Sequence, residues 1–105
     1  MRGDIYRLKA PRKAVGHEQQ GRRYAVLVQS DDALLSTVLA APTSTSASPS
    51  RLRPEIELDG VRTLIMVDQM AAIDPELRLG PFAGRLSADE LLAVNRALRL
   101  ILALD

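Results

Sequence analysis

Residues 55–67 place the tightest constraint on the fold. Glu55-Ile56-Glu57-Leu58 alternates polar and apolar side chains with the period of a strand. Asp59-Gly60 is a strong hairpin-turn pair, and Val61 to Val67 returns as an apolar partner strand. A β-hairpin is therefore expected. Three more strands can be read upstream of it. Asp4 to Leu8 is rich in β-formers and is stopped by the proline and charge of Lys9-Ala10-Pro11-Arg12-Lys13. Tyr24-Ala25-Val26-Leu27-Val28 is a continuous apolar run, as in a strand buried on both faces, and Gln29-Ser30-Asp31-Asp32 supplies turn residues after it. Ser36 to Ala41 is the third, closed by Pro42.

Helical signals come late in the chain. Asp74-Pro75-Glu76-Leu77 reads as a single helical turn with Asp as cap and Pro in the first position. Ser87-Ala88-Asp89-Glu90 fits a capping box, and Leu91, Val94, Leu98, Ile101 and Leu102 then recur at helical spacing, which predicts an amphipathic helix packed on the sheet. With 105 residues, 47% apolar and 26% charged, the chain suits one folded domain spanning 1–105. The fold class is α+β and β-rich: a small barrel or sandwich of about five strands with a C-terminal amphipathic helix. Two long loops interrupt it, residues 9–22 and 42–54, and loops of that length in so small a domain tend to be functional.

Composition excludes several classes of chemistry. There are no cysteines and one histidine, and no Asp/Glu cluster at ligand spacing, so neither a zinc site nor a two-metal site is expected. No Gly-x-Ser-x-Gly elbow accompanies His17, and Gly16 and Gly21 lack the strand-before, helix-after setting of a phosphate-binding loop. Aromatics make up only 3%, too few for a base-stacking platform. Neither a signal peptide nor a run of about 18 apolar residues is present, so a cytoplasmic protein with no membrane partner is expected.

The formal net charge of +1 conceals an asymmetry. Residues 1–23 hold seven Arg/Lys against Asp4 and Glu18, which is +5, and the remainder hold seven against eleven acids, which is −4. A basic end of that kind attracts phosphate, although a charge run is more often a solvated face. The chemically suggestive pair is Arg22-Arg23, at the mouth of the apolar strand from Tyr24. An arginine held at a strand start presents a fixed fork of donors suited to a phosphate or a phosphoryl transition state.

Four segments in order resemble the MazF/PemK toxins of bacterial toxin–antitoxin systems. They are Arg2-Gly3-Asp4-Ile5-Tyr6, then Glu18-Gln19-Gln20-Gly21-Arg22-Arg23 with Ala25 to Val28, then Ala41-Pro42-Thr43-Ser44-Thr45-Ser46, then Val67-Asp68-Gln69 through Ile73. The resemblance implies an SH3-like β-barrel of five to seven strands that forms a homodimer. It implies sequence-specific cleavage of single-stranded RNA (mRNA, with tRNA or rRNA as other targets) without a metal or cofactor, which inhibits translation and growth. An antitoxin with a flexible, acidic tail is implied as partner. The family's catalytic arginine falls on Arg23 and its catalytic threonine on Thr45, third after Pro42. Glu18, Gln19, Arg22, Ser44, Arg51, Arg53 and Gln69 are the expected RNA-binding residues. The family's proline after the arginine is Tyr24 here, a departure at the mouth of the strand. The same barrel also occurs in toxins that bind DNA gyrase and cut nothing, so fold alone leaves a binding module open.

RNA cleavage without a metal most simply uses the ribose 2′-OH as nucleophile, leaving a 2′,3′-cyclic phosphate and a 5′-OH. Arg23, always protonated, suits charge stabilisation rather than proton abstraction. The general base is left open between His17, which titrates near neutrality, and the neighbouring carboxylate Glu18, and an exposed loop histidine with no role is the simpler reading of His17.

Overall fold

The structure, a computed structural model, describes residues 1–9, 23–33 and 35–105. Among these the elements follow in the order β1 (Asp4–Leu8), β2 (Tyr24–Leu27), β3 (Val38–Ser44), β4 (Glu55–Leu58), β5 (Val61–Ile65), a 3-10 turn (Val67–Gln69), β6 (Ala71–Ile73), α1 (Pro75–Arg78), β7 (Leu79–Arg85) and α2 (Ala88–Leu102). The antiparallel strands run β4-β5-β3-β2-β1-β7, and β6 also pairs with β3. The sheet curls into a half-barrel around Val26, Ile65 and Val67, and α2 lays Val94 and Ala97 against it, all of them buried. This is the β-rich α+β architecture expected from the sequence, with the C-terminal helix where its periodicity placed it.

Local chemistry explains the ends of the elements. At the β4–β5 turn, Asp59 and Gly60 both have positive φ, 52° and 76°, which matches a two-residue hairpin turn to the twist of its strands. Ser87 accepts from the Glu90 amide while the Glu90 carboxylate accepts from the Ser87 amide, so the capping box forms as read. Asp74 caps α1 through the amides of Glu76 and Leu77. The opening Arg2 fastens the helix to the barrel, donating from Nε to the Val28 carbonyl and from Nη2 to Asn95 Oδ1 at 2.6 Å.

Three strand assignments differ from the sequence reading. Pro42 does not close β3, which continues through it to Ser44. The reason is a change of partner: β3 pairs with β6 over Val38–Ala40 and with β5 at Thr43 and Ser44, so the missing N–H of Pro42 falls at a break in the ladder. The strand expected over Val61 to Val67 ends at Ile65, and Val67-Asp68-Gln69 forms a helical turn instead. β7 has no counterpart in the sequence reading and carries Gly80, Pro81 and Gly84. It is the terminal strand of the sheet order, where a proline is tolerated, and a Cβ on Gly80 would sit 3.1 Å from the Arg7 carbonyl oxygen. No helix among the described residues is long and apolar enough to cross a membrane.

Candidate functional site

Arg23 sits immediately before β2 with its backbone and side chain both held. Its carbonyl accepts from the Leu8 amide at 2.9 Å, and its guanidinium donates from Nε and Nη2 to the Thr43 carbonyl oxygen at 3.3 and 3.1 Å. A guanidinium has five N–H donors in a rigid plane, and among the described residues this grip occupies only the Nε–Nη2 edge, so Nη1 can donate to an anion. The side chain is half-buried, which limits its rotation without desolvating it fully.

Tyr24 is held at the mouth of β2 through its amide, its hydroxyl and its ring. Its amide donates to Thr43 Oγ1 at 3.1 Å, its hydroxyl donates to Asp59 Oδ2 at 2.8 Å, and the Arg7 guanidinium lies 6.0 Å from the ring centroid. The tyrosine is buried in the core, so β2 is clasped at its mouth by both β3 and the β4–β5 turn.

The alternation of side chains on β2 and β3 separates two clefts. Ala25 pairs with Pro42, and both line a cleft of about 150 Å³ together with Gln69, Ala71 and Arg78. Tyr24 and Thr43 point the other way, into a cleft of about 300 Å³ shared with Thr45, Asp59 and Thr63. Carried two steps past its last pair, Ala25–Pro42, the β2–β3 register sets Ser44 opposite Arg23, and neither residue lines the smaller cleft. Thr45, one residue beyond β3 and exposed, belongs to the opposite face. Of the two hydroxyls, Ser44 is thus the one in register with Arg23. Its Oγ accepts from the amides of Ser46 and Ala47 at 3.2 and 3.0 Å, which fixes the oxygen and leaves its proton free to donate.

Gln69 lies in the smaller cleft with Pro42, beyond the turn that carries Asp68. Asp68 holds Arg53 in a fork: Nε to Oδ1 at 3.2 Å and Nη2 to Oδ2 at 3.0 Å, with Nη1 donating to the Ser48 carbonyl. The hydrogen bonds from Arg53 hold the Asp68 carboxyl below the usual carboxylate range, against a smaller opposing effect of burial. Arg53 therefore braces the 45–54 loop, and with Arg51 it borders a separate groove towards α2. Among the described residues no three His, Asp or Glu side chains come together as metal ligands. His17, Glu18, Gln19 and Arg22 lie outside the described residues.

Spacing alone could not have found Tyr24, Thr43, Asp59 and Asp68 as parts of this site. Asp59 read only as a turn former, and its carboxylate acquires a partner because the hairpin folds over Tyr24. The alternation that separates Ser44 from Thr45 was legible in principle, once β3 was known to pass through Pro42.

The fold and the strand-end arginine define a class of small half-barrel proteins with a C-terminal helix. Residues 1–102 match the family model of the PemK-like, MazF-like toxins of type II toxin–antitoxin systems. A Mycobacterium tuberculosis protein whose name assigns it to the toxins is 38% identical over 99% of this chain and 98% of its own. Two solved structures share the fold. Mycobacterium tuberculosis toxin MazF-mt6 has a TM-score of 0.76 at 17% identity, covering 97% of this chain and 98% of its own. A mycobacterial endoribonuclease in complex with its cognate antitoxin has a TM-score of 0.77 at 17% identity, covering 100% and 96%. The chain belongs to the PemK/MazF family of type II toxins.

Proposed function

We propose that this toxin is a sequence-specific endoribonuclease that cuts single-stranded RNA without a metal, using Arg23 to stabilise the transition state. The observation that carries the reading is the grip of the Thr43 carbonyl on one edge of the Arg23 guanidinium, which fixes that group at the mouth of β2. The ribose 2′-oxygen attacks the adjacent phosphorus while its proton passes to a base, His17 or Glu18. The bond from phosphorus to the 5′ oxygen breaks, that oxygen takes a proton from water, and the products are a 2′,3′-cyclic phosphate and a 5′-OH. Arg23 donates to the non-bridging oxygens as charge builds on them, and a hydroxyl from Ser44 or Thr45 adds a further donor. Gln69 and Ser44, with Glu18, Gln19 and Arg22, hold the RNA.

Partners follow from the same reading: an antitoxin with an acidic tail, and a second copy of the chain. The exposed Leu39, Ile101, Leu102 and Leu104 supply apolar surface for a homodimer, and the expected compartment is the cytoplasm. The test is to incubate purified protein with mixed RNA in EDTA and map the ends. Cyclic phosphate and 5′-OH termini at recurrent short sequences support the reading. Intact RNA would move it to the non-cutting, gyrase-binding class.

A further inference from the structure

The cleft of about 300 Å³ beside Tyr24 has no role in the steps assigned to Arg23, yet it is walled by Leu58 and Val61 and carries Thr43, Thr63 and Asp59. Pockets for small ligands begin at about that size. Thr63 gives its hydroxyl proton to the Val61 carbonyl at 3.0 Å. Thr43, only 2% exposed, accepts from the Tyr24 amide on Oγ1 at 3.1 Å, and among the described residues its own hydroxyl proton has no acceptor. Asp59 accepts from the Tyr24 hydroxyl on Oδ2 at 2.8 Å, which leaves the carboxylate its Oδ1 and a second lone pair on Oδ2. The two polar ends of Tyr24 therefore fix one hydroxyl donor and one carboxylate in the same cleft. Thr43 also joins that cleft to Arg23: its carbonyl holds the guanidinium while its side chain lines the cleft.

We infer that this cleft binds a guanine base, the Asp59 carboxylate accepting from N1–H and the N2 amino group and the Thr43 hydroxyl donating to O6. The bases differ in the order of donors and acceptors along their pairing edge. Guanine alone sets two adjacent donors next to one acceptor. Adenine and cytosine each place one amino group beside a bare ring nitrogen, which a carboxylate repels, and uracil has a single N–H between two carbonyls. A carboxylate takes the guanine pair as it takes the fork of an arginine, through two parallel N–H bonds. Asp59 needs such a partner if RNA lies here, because its charge repels phosphates and only donors on a base offset that. The inference rests on the reading of the chain as a ribonuclease for its role: the pocket selects the nucleotide next to the phosphate held by Arg23.

The test is an NMR titration of the full, unsubstituted chain with guanosine 5′-monophosphate, set against the inosine, adenosine, cytidine and uridine monophosphates that share its phosphate. No cleavage step enters it. The inference predicts shifts centred on Thr43, Asp59 and Thr63, and about tenfold weaker binding of the inosine nucleotide, which lacks only the N2 amino group, the scale of one hydrogen bond to a charged acceptor. Asp59→Asn keeps an acceptor for the Tyr24 hydroxyl but turns an amide donor towards the base, and should remove the difference between the guanosine and inosine nucleotides. Equal affinity of the parent protein for those two nucleotides, shifts confined to the surroundings of Arg23, or no binding overturns the inference. A protein that prefers guanosine monophosphate and yet leaves RNA intact in EDTA supports the pocket and overturns the nuclease reading, so the two fail separately.

Discussion

The hydroxyl of Tyr24 donates to Asp59 Oδ2 at 2.8 Å, joining the mouth of β2 to the turn of the β4–β5 hairpin. A phenol bonded to a carboxylate is a strong version of this contact, and removing only the hydroxyl loses the bond without opening a large cavity, while the exposed Asp59 carboxylate returns to water. Tyr24→Phe should therefore lower stability by about 1–2 kcal/mol, read as a fall in the urea midpoint at constant slope. Because Arg23 is the preceding residue, RNA cleavage should fall with it. Unchanged cleavage and midpoint would show that the clasp does not organise the site.

Ser44 and Thr45 separate two accounts of the hydroxyl donor. With Ser44 in register with Arg23, Ser44→Ala should slow cleavage about 100-fold, the scale of one lost transition-state donor, while Thr45→Ala retains most activity. Single-turnover rates on a short RNA make the comparison. The reverse order would restore Thr45 to the reacting phosphate.

The Arg53–Asp68 fork makes stability depend on pH. The folded carboxyl lies below its ordinary value of 3.8, so the contribution of the pair is fully present above that value and is lost as pH falls through the lower folded one. Partial exposure of both side chains, 22% and 23%, keeps it near 1 kcal/mol. Asp68→Asn should lose that stability at neutral pH and show a shallower acid decline. Urea titrations at neutral and acid pH measure both.

The capping box can be tested away from the site. Ser87→Ala removes the acceptor for the Glu90 amide and should destabilise the protein by about 1 kcal/mol with cleavage per folded molecule unchanged. An unaltered midpoint would mean the first turn of α2 is held by other contacts.

Where local chemistry dictated structure, the chain could be read directly. The Asp59-Gly60 turn, the Ser87 cap and the apolar spacing of α2 each depend on residues close in sequence. Features set by distant partners were hidden. Pro42 continues β3 only because β5 and β6 divide that edge, and the Gly- and Pro-bearing β7 forms only because β1 offers it a free edge. The arginine of the site was visible at the start of an apolar strand, but its grip on Thr43 and the pairing of Arg53 with Asp68 come from the curled sheet. The same limit applies to Arg51 and Arg53, two residues apart in a loop: their place bordering one groove with Arg62 and Arg96 is set by the fold.

The central claim is that Arg23 contacts the phosphate undergoing cleavage, and kcat/KM of Arg23→Ala on a short single-stranded RNA in EDTA tests it most directly. The account predicts a loss of about 100- to 1000-fold with folding confirmed by the thermal midpoint. Cleavage by a folded Arg23→Ala protein at the parent rate would contradict it.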